Sequence, residues 1–353
     1  MKPFPTLHLD TNICRNNIQK MNEKADRNSV EFRPHFKTHQ SKKVGRMFRD
    51  VGVNSITVSS IKMAEYFIED GWKDVTIAFP ANILAIDSYN QIASKCDLKT
   101  LVISKEVVKK LDAGLSESVG LYIEIDPDYG RSGIPVGDFQ KIRDVLDAIS
   151  AAENMYTAGF YCHAGHTYKA RSRNEVLDIA GKTLKKLTLL KEEFPDLPIC
   201  YGDTPSCSVF DDFGPLDQIS PGNFVFYDWM QVEIGACSPN DIAVSMECPV
   251  IEKFEERHQV LIHGGAIHFS KDFVEIDGTV SFGEPKLKHL SKDTFVKSVS
   301  QEHGLIQCSP QVFDDITIGQ TIEIFPIHSC LTADLMREYH TENGSVADHM
   351  NGV

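Results

Sequence analysis

Residues 55–80 read SITVSSIKMAEYFIEDGWKDVTIAFP. The stretch begins and ends with short β-rich runs, SITVSS and VTIAFP, and between them apolar residues recur every three or four positions. A strand, a helix and a second strand in this order are typical of parallel strand pairing with a right-handed crossover. The stretch therefore predicts one β/α unit of a parallel sheet.

The same unit recurs along the first two thirds of the chain, where most β-rich runs are separated by a segment with helical periodicity. Only the gap between the seventh and eighth runs lacks a full helix. Eight units predict a closed (β/α)8 TIM-type barrel. An open doubly wound sheet is the alternative, but no GxGxxG turn follows the first strand. The runs are VEFRPHFK (30–37), SITVSS (55–60), VTIAFP (75–80), TLVIS (100–104), GLYIEID (120–126), AGFYCHAG (158–165), PICYGD (198–203) and QISPGNF (218–224).

The pattern changes after about residue 236, where short alternating or apolar runs replace the helical ones. These runs include MECPVIEKF, RHQVLIHGG, GTVSFG and QTIEIFPIH. They predict a second, all-β domain over residues 236–353. The opening strand, residues 5–9, is expected to pair with this domain because it precedes the first barrel helix. The barrel domain is expected to span residues 10–235.

Composition narrows the classes of partner and compartment. The 353 residues carry a net charge of -14, which disfavours nucleic acid and anionic membranes as partners. The N-terminal MKPFPTLHLD lacks the apolar stretch of a signal peptide, and no apolar run is long enough to cross a bilayer. Nine cysteines without a CxxC pair argue against a disulfide framework. We therefore expect a cytoplasmic protein that acts on a small molecule.

Polar residues gather at the predicted carboxyl ends of the barrel strands, where enzymes of this architecture build their active sites. All of them fall on one rim of the predicted barrel, although polar loops are common on any protein surface. The residues are Lys37 after the first run, Arg131 after the fifth, His163 and His166 in CHAGHTY at the sixth, Thr204 and Ser206 in DTPS at the seventh, and Gly222 and Asn223 in PGN at the eighth.

These rim residues suggest a phosphorylated cofactor. Loops after strands seven and eight often hold phosphate in such barrels, and DTPS and PGN offer hydroxyl and backbone N–H groups, although both are also ordinary turn sequences. Arg33, His35 and His39 surround Lys37 in the sequence, and neighbouring cations favour the neutral, reactive form of an amine. A solvated loop lysine is the alternative. Lysine and phosphate site together predict a Schiff base to pyridoxal 5′-phosphate.

A second candidate site lies in IHSCLTADLMREYH, residues 327–340. His328 and Cys330 are two positions apart, so we expect them on the same side of a strand. Imidazole and thiolate suit Zn2+, with Mn2+ or Mg2+ as alternatives, and two protein ligands leave the open positions of a catalytic metal. Asp334 is a candidate further partner of this metal. His268 and His303 are further candidates, for which a core or loop role is the alternative.

Seven motifs, taken in order, resemble those of the D-serine dehydratase and D-threonine aldolase family, pyridoxal-phosphate enzymes of the alanine racemase type. The resemblance spans residues 5–341 and implies a homodimer. It implies that Lys37 forms the Schiff base, Arg131 approaches the phenolic oxygen, His163 and Tyr168 contact the ring, Thr204, Gly222 and Asn223 hold the phosphate, and His328 and Cys330 hold the metal. The motifs are RPHFKTHQ, IDPDYGRSG, CHAGHTY, GDTPS, PGNFVFYD, EHG and HSCLTADLM.

One position departs from the alanine racemase pattern. An arginine precedes the PG of the eighth loop there and contacts the pyridine nitrogen, whereas this chain has Ser220. A serine carries no charge with which to keep that nitrogen unprotonated. The protonation of the pyridine nitrogen is therefore expected to differ from that in alanine racemase.

The resemblance implies β-elimination of water from a D-serine-like substrate, with Lys37 removing the Cα proton and the metal binding the β-hydroxyl. The alternative is a D-threonine or 3-hydroxyaspartate aldolase, in which His163 or His166 removes the hydroxyl proton. The cysteine ligand favours zinc and the dehydratase. A racemase is disfavoured because no second base can be named. A non-catalytic cofactor carrier is disfavoured because such carriers lack the second domain.

Overall fold

The computed structural model describes residues 2–287 and 293–351 of the chain. The chain forms two compact units. The first, the barrel unit, includes Ile18–Lys37 and Gly45–Gly222. The second, the sheet unit, comprises Met1–Asn17, Thr38–Val44 and Asn223–Asn351. Among the helices of the described ranges, none has both the length and the apolar character needed to span a membrane.

Strands and helices alternate along the first 234 residues. The helix between the last two barrel strands is only six residues long, which explains why the sequence shows no full helical period there. The elements are β1 (Thr6–Leu9), α1 (Thr11–Arg27), β2 (Glu31–Phe32), α2 (Lys42–Arg49), β3 (Ser55–Val58), α3 (Ile61–Glu69), β4 (Asp74–Pro80), α4 (Ile86–Ala93), β5 (Asp97–Val102), α5 (Lys105–Asp112), β6 (Val119–Asp126), β7 (Ile134–Pro135), α6 (Phe139–Ser150), β8 (Met155–Cys162), α7 (Arg173–Glu193), β9 (Ile199–Tyr201), α8 (Thr204–Val209), β10 (Gln218–Ile219) and α9 (Trp229–Ile234).

Eight parallel strands form the main sheet of the barrel unit, in the order β2-β10-β9-β8-β6-β5-β4-β3. From β3 to β10 each strand of this sheet pairs with the next one along the chain, and β10 returns to pair with β2. The two-residue β7 adds to the end of β6. This arrangement confirms the predicted (β/α)8 barrel.

The first strand of the barrel is shorter than the sequence predicted. β2 ends at Phe32, although the N–H groups of Arg33 and His35 still donate to carbonyls of the β10 segment, each at 2.9 Å. Pro34 has no N–H to donate, so a regular ladder cannot pass through it. The side-chain alternation of a full strand therefore does not extend to Lys37.

The same segment pairs with β3 on its other side and so nearly closes the ring of strands. The Phe36 N–H donates to the Thr57 carbonyl at 2.8 Å, and the Thr57 N–H donates to the Pro34 carbonyl at 2.9 Å. His35 and Thr57 consequently form an isolated parallel bridge. Closure depends on a few backbone hydrogen bonds immediately before Lys37.

An aromatic cluster fixes this closing segment. The Phe36 side chain is fully buried, and its ring centroid lies 5.0 Å from that of Phe48 in α2, 4.9 Å from that of Phe67 in α3 and 5.2 Å from that of Trp72. Aromatic rings at these separations stabilise one another beyond the area that they bury. Because Phe36 directly precedes Lys37, its burial fixes the backbone from which the lysine side chain departs.

The sheet unit is built around a nine-stranded sheet, whose main path runs β16-β17-β12-β11-β1-β19-β20. β18 pairs with β11 and with β15, and the N-terminal β1 lies between β11 and β19. The elements are β11 (Val244–Phe254), β12 (Gln259–His263), α10 (Ala266–Phe269), β13 (Val274–Ile276), β14 (Thr279–Ser281), β15 (Gly283–Pro285), β16 (Phe295–Val299), β17 (His303–Gln307), α11 (Pro310–Asp315), β18 (Thr321–Pro326), α12 (Ser329–Met336), β19 (Tyr339–Thr341) and β20 (Val346–Ala347).

The predicted strand over residues 320–328 is wrong at its end. β18 stops at Pro326, which has no N–H for the ladder, and α12 begins at Ser329 with His328 as its N-cap residue. His328 and Cys330 therefore lie at the start of a helix and not along a strand. Short helices of this kind make the sheet unit less purely β than the sequence predicted.

Phe36→Ala is expected to lower the free energy of unfolding by about 3–5 kcal/mol, because truncating a buried phenylalanine removes its burial and leaves a cavity. Urea unfolding followed by fluorescence measures the change. Phe79→Ala is the matched control, since Phe79 is 62% exposed and its loss should change stability by about 0.5 kcal/mol or less. Equal stability of the two variants would contradict the anchoring role of Phe36.

Candidate active site

Five predicted site residues follow the carboxyl ends of barrel strands. Lys37 comes after β2, Arg131 after β6, His163 directly after β8, Thr204 after β9 and Gly222 after β10. All five belong to the barrel unit. Carboxyl ends of parallel barrel strands open on one face, which is where catalytic groups are found in such barrels.

Lys37 is exposed at the end of the closing segment, and its backbone N–H donates to Nδ1 of His35 at 3.3 Å. Arg33 and His39 do not provide the cationic surroundings expected from the sequence. The Arg33 guanidinium instead donates to both carboxylate oxygens of Asp74, at 2.5 and 3.0 Å, so its charge is neutralised by an anion. His39 belongs to the sheet unit.

His163 is held as a neutral ring. Its Nδ1 contacts the carbonyl oxygen of Gly202, an arrangement that places the ring proton on Nδ1 and leaves a lone pair on Nε2. Burial, together with the positive charges of Arg131 and Lys37, lowers the pKa of His163 to about 3. The ring of Tyr168 lies 6.4 Å away, at 37° to the imidazole plane.

His166 lies on the turn after β8, stacked on the Tyr129 ring at 5.8 Å and 25°. Burial lowers the pKa of His166 despite the opposing charges of Asp126 and Asp128. Its Nδ1 is buried and has no hydrogen-bond partner within residues 2–287 and 293–351. His166 is therefore a second neutral imidazole close to the end of β8.

Arg131 and its neighbours make a polar patch after β6. The guanidinium of Arg131 lies over the Tyr129 ring, 5.7 Å from its centroid, and 4.0 Å from a carboxylate oxygen of Glu124. Ser132 donates a 2.6 Å hydrogen bond to the same carboxylate. Burial raises the pKa of Glu124, while Ser132 and Arg131 oppose the rise. An arginine next to one buried carboxylate can still bind a further anion or phenolate.

The loops after β9 and β10 approach each other closely. A side chain on Gly202 would meet the Ser220 carbonyl at 2.9 Å, so the backbones can be this near only because Gly202 has no Cβ. Thr204 is fully buried, and its backbone N–H donates to the Tyr168 hydroxyl at 3.3 Å. Ser206, the other hydroxyl of this loop, accepts from Tyr201 at 2.9 Å.

Ser220 belongs to a chain of uncharged hydroxyl groups. Its Oγ donates to Oγ1 of Thr57 at 2.9 Å and accepts a longer hydrogen bond, 3.5 Å, from the Tyr161 hydroxyl. Ser220 is buried, so these partners replace water. The structure thus has neutral donors and acceptors at the position where alanine racemase has a charge.

Asn223, which the sequence assigns to a phosphate loop, is grouped with the sheet unit. Its amide donates to the Asp228 carboxylate at 2.6 Å, to Ser329 Oγ at 3.0 Å and to Cys330 Sγ at 3.6 Å. The side chain is therefore engaged beside the predicted metal ligands. A role of the Asn223 backbone in phosphate binding stays a prediction.

His328 and Cys330 come together at the start of α12, where their side chains hydrogen-bond. Burial lowers the pKa of His328, but the hydrogen bonds to Asp272 and Cys330 outweigh it and raise the pKa to about 11. The Thr38 hydroxyl lies 3.2 Å from Cys330 Sγ, and Thr38 is the residue that follows Lys37 in the chain. An imidazole and a thiol in contact are a donor pair that suits Zn2+.

The carboxylate beside this pair is Asp272, which sequence reasoning missed. Nδ1 of His328 lies 2.5 Å from Asp272 Oδ2. Asp334, the candidate from the sequence, instead accepts a 3.2 Å hydrogen bond from Gln40. Asp272 is 56 positions before His328 in the chain, and no local spacing rule connects them.

His268, a further candidate from the sequence, gathers with His263 and Glu302, and their ligating atoms lie within 4.8 Å of one another. The backbone N–H of Gly265 donates to Nδ1 of His268 at 3.1 Å. The proton of the neutral ring must then be on Nε2, which lies 4.0 Å from the Glu302 carboxylate. In this tautomer Nε2 points an N–H, and not a lone pair, toward the other members of the cluster. The His268 ring can therefore donate a hydrogen bond there but cannot bind a metal. His303 is exposed, on the neighbouring β17.

A nearly closed parallel barrel with a lysine on its rim, combined with a separate sheet unit that carries an imidazole–thiol pair, defines an enzyme of the alanine racemase-like class. Residues 9–226 match the alanine racemase N-terminal domain family, and residues 243–341 match a serine dehydratase domain family. The chain belongs to the D-serine dehydratase and D-threonine aldolase family of alanine racemase-like barrel enzymes, a pyridoxal-phosphate-dependent family.

Named relatives extend over almost the whole chain. The D-serine dehydratase of Dictyostelium discoideum is 30% identical, over 96% of this chain and 92% of the relative. The D-threonine aldolase of an Arthrobacter species is 22% identical, over 92% of this chain and 85% of the relative. These relatives are named for lyase reactions, and this chain is an enzyme of the lyase class.

A solved structure shares the fold along the full length. The D-threo-3-hydroxyaspartate dehydratase of a Delftia species superposes with a TM-score of 0.88 at 24% identity, covering 100% of this chain and 98% of that structure. The same enzyme has also been solved as a cysteine-to-alanine mutant in the metal-free form and as a histidine-to-alanine mutant. At this level of identity the superposition supports the shared fold.

His163→Gln is expected to reduce the loss of stability in acid. The pKa of His163 is about 3 in the folded protein and about 6.5 in the unfolded chain, so below about pH 6.5 the unfolded chain binds a proton that the folded protein does not. Stability therefore falls as the pH decreases, by about 2 kcal/mol between pH 7 and pH 5 from this group alone. Urea unfolding of both proteins at the two pH values measures the difference.

The matched control for this pH comparison is His303→Gln, which replaces an exposed histidine. That control should lose as much stability between pH 7 and pH 5 as the unaltered protein does. If His163→Gln also loses that much, His163 is not held neutral in the folded protein.

Proposed function

We propose that this enzyme eliminates water from D-serine or a closely related D-β-hydroxy amino acid, giving a 2-oxo acid and ammonia. The observation that carries the proposal is the contact between His328 and Cys330, which provides a metal-binding pair in a pyridoxal-phosphate enzyme. Elimination of hydroxide gains most from a metal, because hydroxide is a poor leaving group. Two relatives are named as dehydratases of D-β-hydroxy amino acids, which supports this reaction.

The rim residues of the barrel unit fit pyridoxal 5′-phosphate. Lys37 offers an exposed primary amine for the Schiff base, and two neutral imidazoles and the Tyr168 ring follow β8. The buried, unpartnered Nδ1 of His166 is what a polar ligand near the end of β8 would satisfy. We propose that Lys37, Arg131, His163, Tyr168, Thr204 and Gly222 hold the cofactor, with a contribution from the backbone of Asn223.

When bound, the cofactor withdraws electron density from Cα and so stabilises negative charge there. The protein then has to move one proton. Lys37 is the amine that we propose takes the Cα proton. His163 is uncharged and its Nδ1 is held by the Gly202 carbonyl, so it orients the cofactor ring without adding a positive charge. Ser220 adds only hydroxyl hydrogen bonds.

We propose Zn2+ as the metal on His328 and Cys330, because a thiolate with an imidazole selects zinc over magnesium or manganese. A Lewis acid bound there lowers the cost of releasing the β-hydroxyl group. The positions substituted in the histidine and cysteine mutants of the Delftia enzyme are also two residues apart, and the cysteine mutant was solved metal-free. This spacing matches that of His328 and Cys330 and supports the assignment.

Retro-aldol cleavage of D-threonine or 3-hydroxyaspartate is the second candidate. One observation favours it: His166 is a neutral imidazole with a buried nitrogen that no group in the described residues binds, which is what a base for a substrate hydroxyl proton requires. A relative is also named a D-threonine aldolase. The two reactions differ in the bond that breaks, so their products distinguish them.

We also propose a cytoplasmic homodimer. None of the nine cysteines, all of which lie in the described ranges, forms a disulfide, as expected in a reducing compartment. The dimer follows from the family resemblance alone. Light scattering of the purified protein measures the oligomeric state.

Product analysis tests the reaction. Purified enzyme with pyridoxal phosphate and Zn2+ is expected to convert D-serine to pyruvate and ammonia in equal amounts, and to leave L-serine unchanged. Pyruvate is measured with lactate dehydrogenase and ammonia with glutamate dehydrogenase. Glycine and acetaldehyde from D-threonine, without pyruvate from D-serine, would reject the dehydratase and support the aldolase.

Lys37→Ala is expected to abolish both turnover and the yellow absorbance of the bound cofactor, because the substitution removes the amine that is proposed to form the Schiff base. Borohydride reduction followed by peptide mass analysis should place the pyridoxyl group on Lys37. Lys62→Ala, an exposed lysine on α3, is the matched control and should retain colour and activity. Retention of full turnover by Lys37→Ala would refute the role of this lysine.

A further inference from the structure

We propose that Asp272 is a positioning residue for the metal: its carboxylate holds Nδ1–H of His328 and so presents the lone pair of Nε2 to the ion. The inference rests on the proposed function in one respect, that His328 and Cys330 are the metal ligands. None of the motifs that the sequence carries includes Asp272 in this role. The sequence pointed instead to Asp334.

The contact itself determines which nitrogen can bind. Oδ2 of Asp272 lies 2.5 Å from Nδ1 of His328, and a carboxylate can only accept a hydrogen bond there. The neutral ring therefore carries its proton on Nδ1 and its lone pair on Nε2. Metal-binding histidines in proteins commonly donate their other N–H to a carboxylate in this way, which fixes the ring orientation and raises the basicity of the ligand.

The position of Asp272 is also fixed. The N–H of Asp272 donates to Ser270 Oγ at 3.0 Å, and Ser270 has a φ of 73°, a conformation that few non-glycine residues adopt. The preceding carbonyl, that of Phe269 at the end of α10, accepts a 3.3 Å hydrogen bond from the Thr332 hydroxyl in α12. The segment that carries Asp272 is thus tied to the helix that begins just after His328.

The contact of His268 with Glu302, also in the sheet unit, shows the opposite arrangement. Nδ1 of His268 accepts from the Gly265 backbone, so its N–H faces Glu302 through Nε2. The protonated Nε2 of His268 therefore faces Glu302 at 4.0 Å and offers no lone pair to a metal. This contrast makes Glu302 a matched control, because replacing it also removes one carboxylate beside a histidine.

Asp272→Asn is expected to weaken Zn2+ binding by about 10–100-fold, since an uncharged amide accepts more weakly from Nδ1–H than a carboxylate does and can instead donate its own NH2 to Nδ1, which favours the wrong tautomer. Competition with a chromophoric zinc chelator, on the full-length protein, measures the dissociation constant. Asp272→Glu, which keeps the carboxylate, should recover part of the affinity. Glu302→Gln should leave the affinity unchanged, and Cys330→Ala should weaken it more than Asp272→Asn does, because a ligand is lost.

Saturation with Co2+ separates weaker binding from a broken site. At saturating Co2+, Asp272→Asn should still show the charge-transfer absorption of a cobalt–thiolate bond, because Cys330 is unchanged. Absence of that band at saturation would mean that the substitution destroys the site, and would overturn the positioning role.

Two further outcomes separate the inference from the function on which it rests. If Asp272→Asn binds Zn2+ within about two-fold of the unaltered protein while Cys330→Ala does not, the metal pair stands and the role of Asp272 is refuted. If Cys330→Ala and His328→Ala both bind Zn2+ normally, the metal lies elsewhere, and the metal part of the proposed function fails together with the inference. A loss in Glu302→Gln as large as that in Asp272→Asn would also overturn the inference.

Discussion

The burial of Phe36 is the constraint on which the position of Lys37, the proposed Schiff-base lysine, depends. An amine that forms a Schiff base must be exposed, yet its backbone must not move. The protein separates these demands between adjacent residues, because Phe36 is fully buried among Phe48, Phe67 and Trp72 while Lys37 is exposed. The backbone hydrogen bonds between Phe36 and Thr57 close the ring of strands at the same point. The segment that closes the ring of strands is therefore also the one that fixes the backbone of Lys37.

Two basic residues of the barrel unit, Arg33 and His163, add no net positive charge, each for a different reason. Arg33, which the sequence places next to Lys37, is neutralised by Asp74. His163 is kept neutral by burial and by the positive charges of Arg131 and Lys37. Ser220 is surrounded by hydroxyl groups. At Ser220, where the alanine racemase pattern has an arginine, this protein has hydroxyl hydrogen bonds and no charged side chain.

Two histidines of the sheet unit, His328 and His268, face carboxylates with opposite tautomers, and this difference separates the proposed metal ligand from the cluster of His263, His268 and Glu302. His328 donates its Nδ1–H to Asp272, and the lone pair of Nε2 is then available to the proposed metal. His268 has its Nδ1 occupied by a backbone N–H, so its proton is on Nε2. Proximity of histidine and glutamate alone would have favoured the second cluster as the metal site. The hydrogen bond from the Gly265 N–H to Nδ1 of His268 argues against a metal in that cluster.

The sequence by itself determined the barrel, because eight β/α units can be read from it. The hydrophobic pattern of each strand or helix depends only on residues close together in the chain. It also identified Lys37, His163, His328 and Cys330 as residues of interest, since their motifs are short. The predicted strand ends were wrong near Pro34 and Pro326. Whether a residue's N–H takes part in strand pairing depends on the neighbouring strand, which lies elsewhere in the chain.

Only the tertiary structure decided which groups meet. Asp272 is the carboxylate beside His328, and the Asn223 side chain is beside Cys330. The protonation and the tautomer of each histidine also follow from the tertiary structure. Both depend on burial and on hydrogen-bond partners that are distant in the chain. Residue type and local spacing carry no information about those partners.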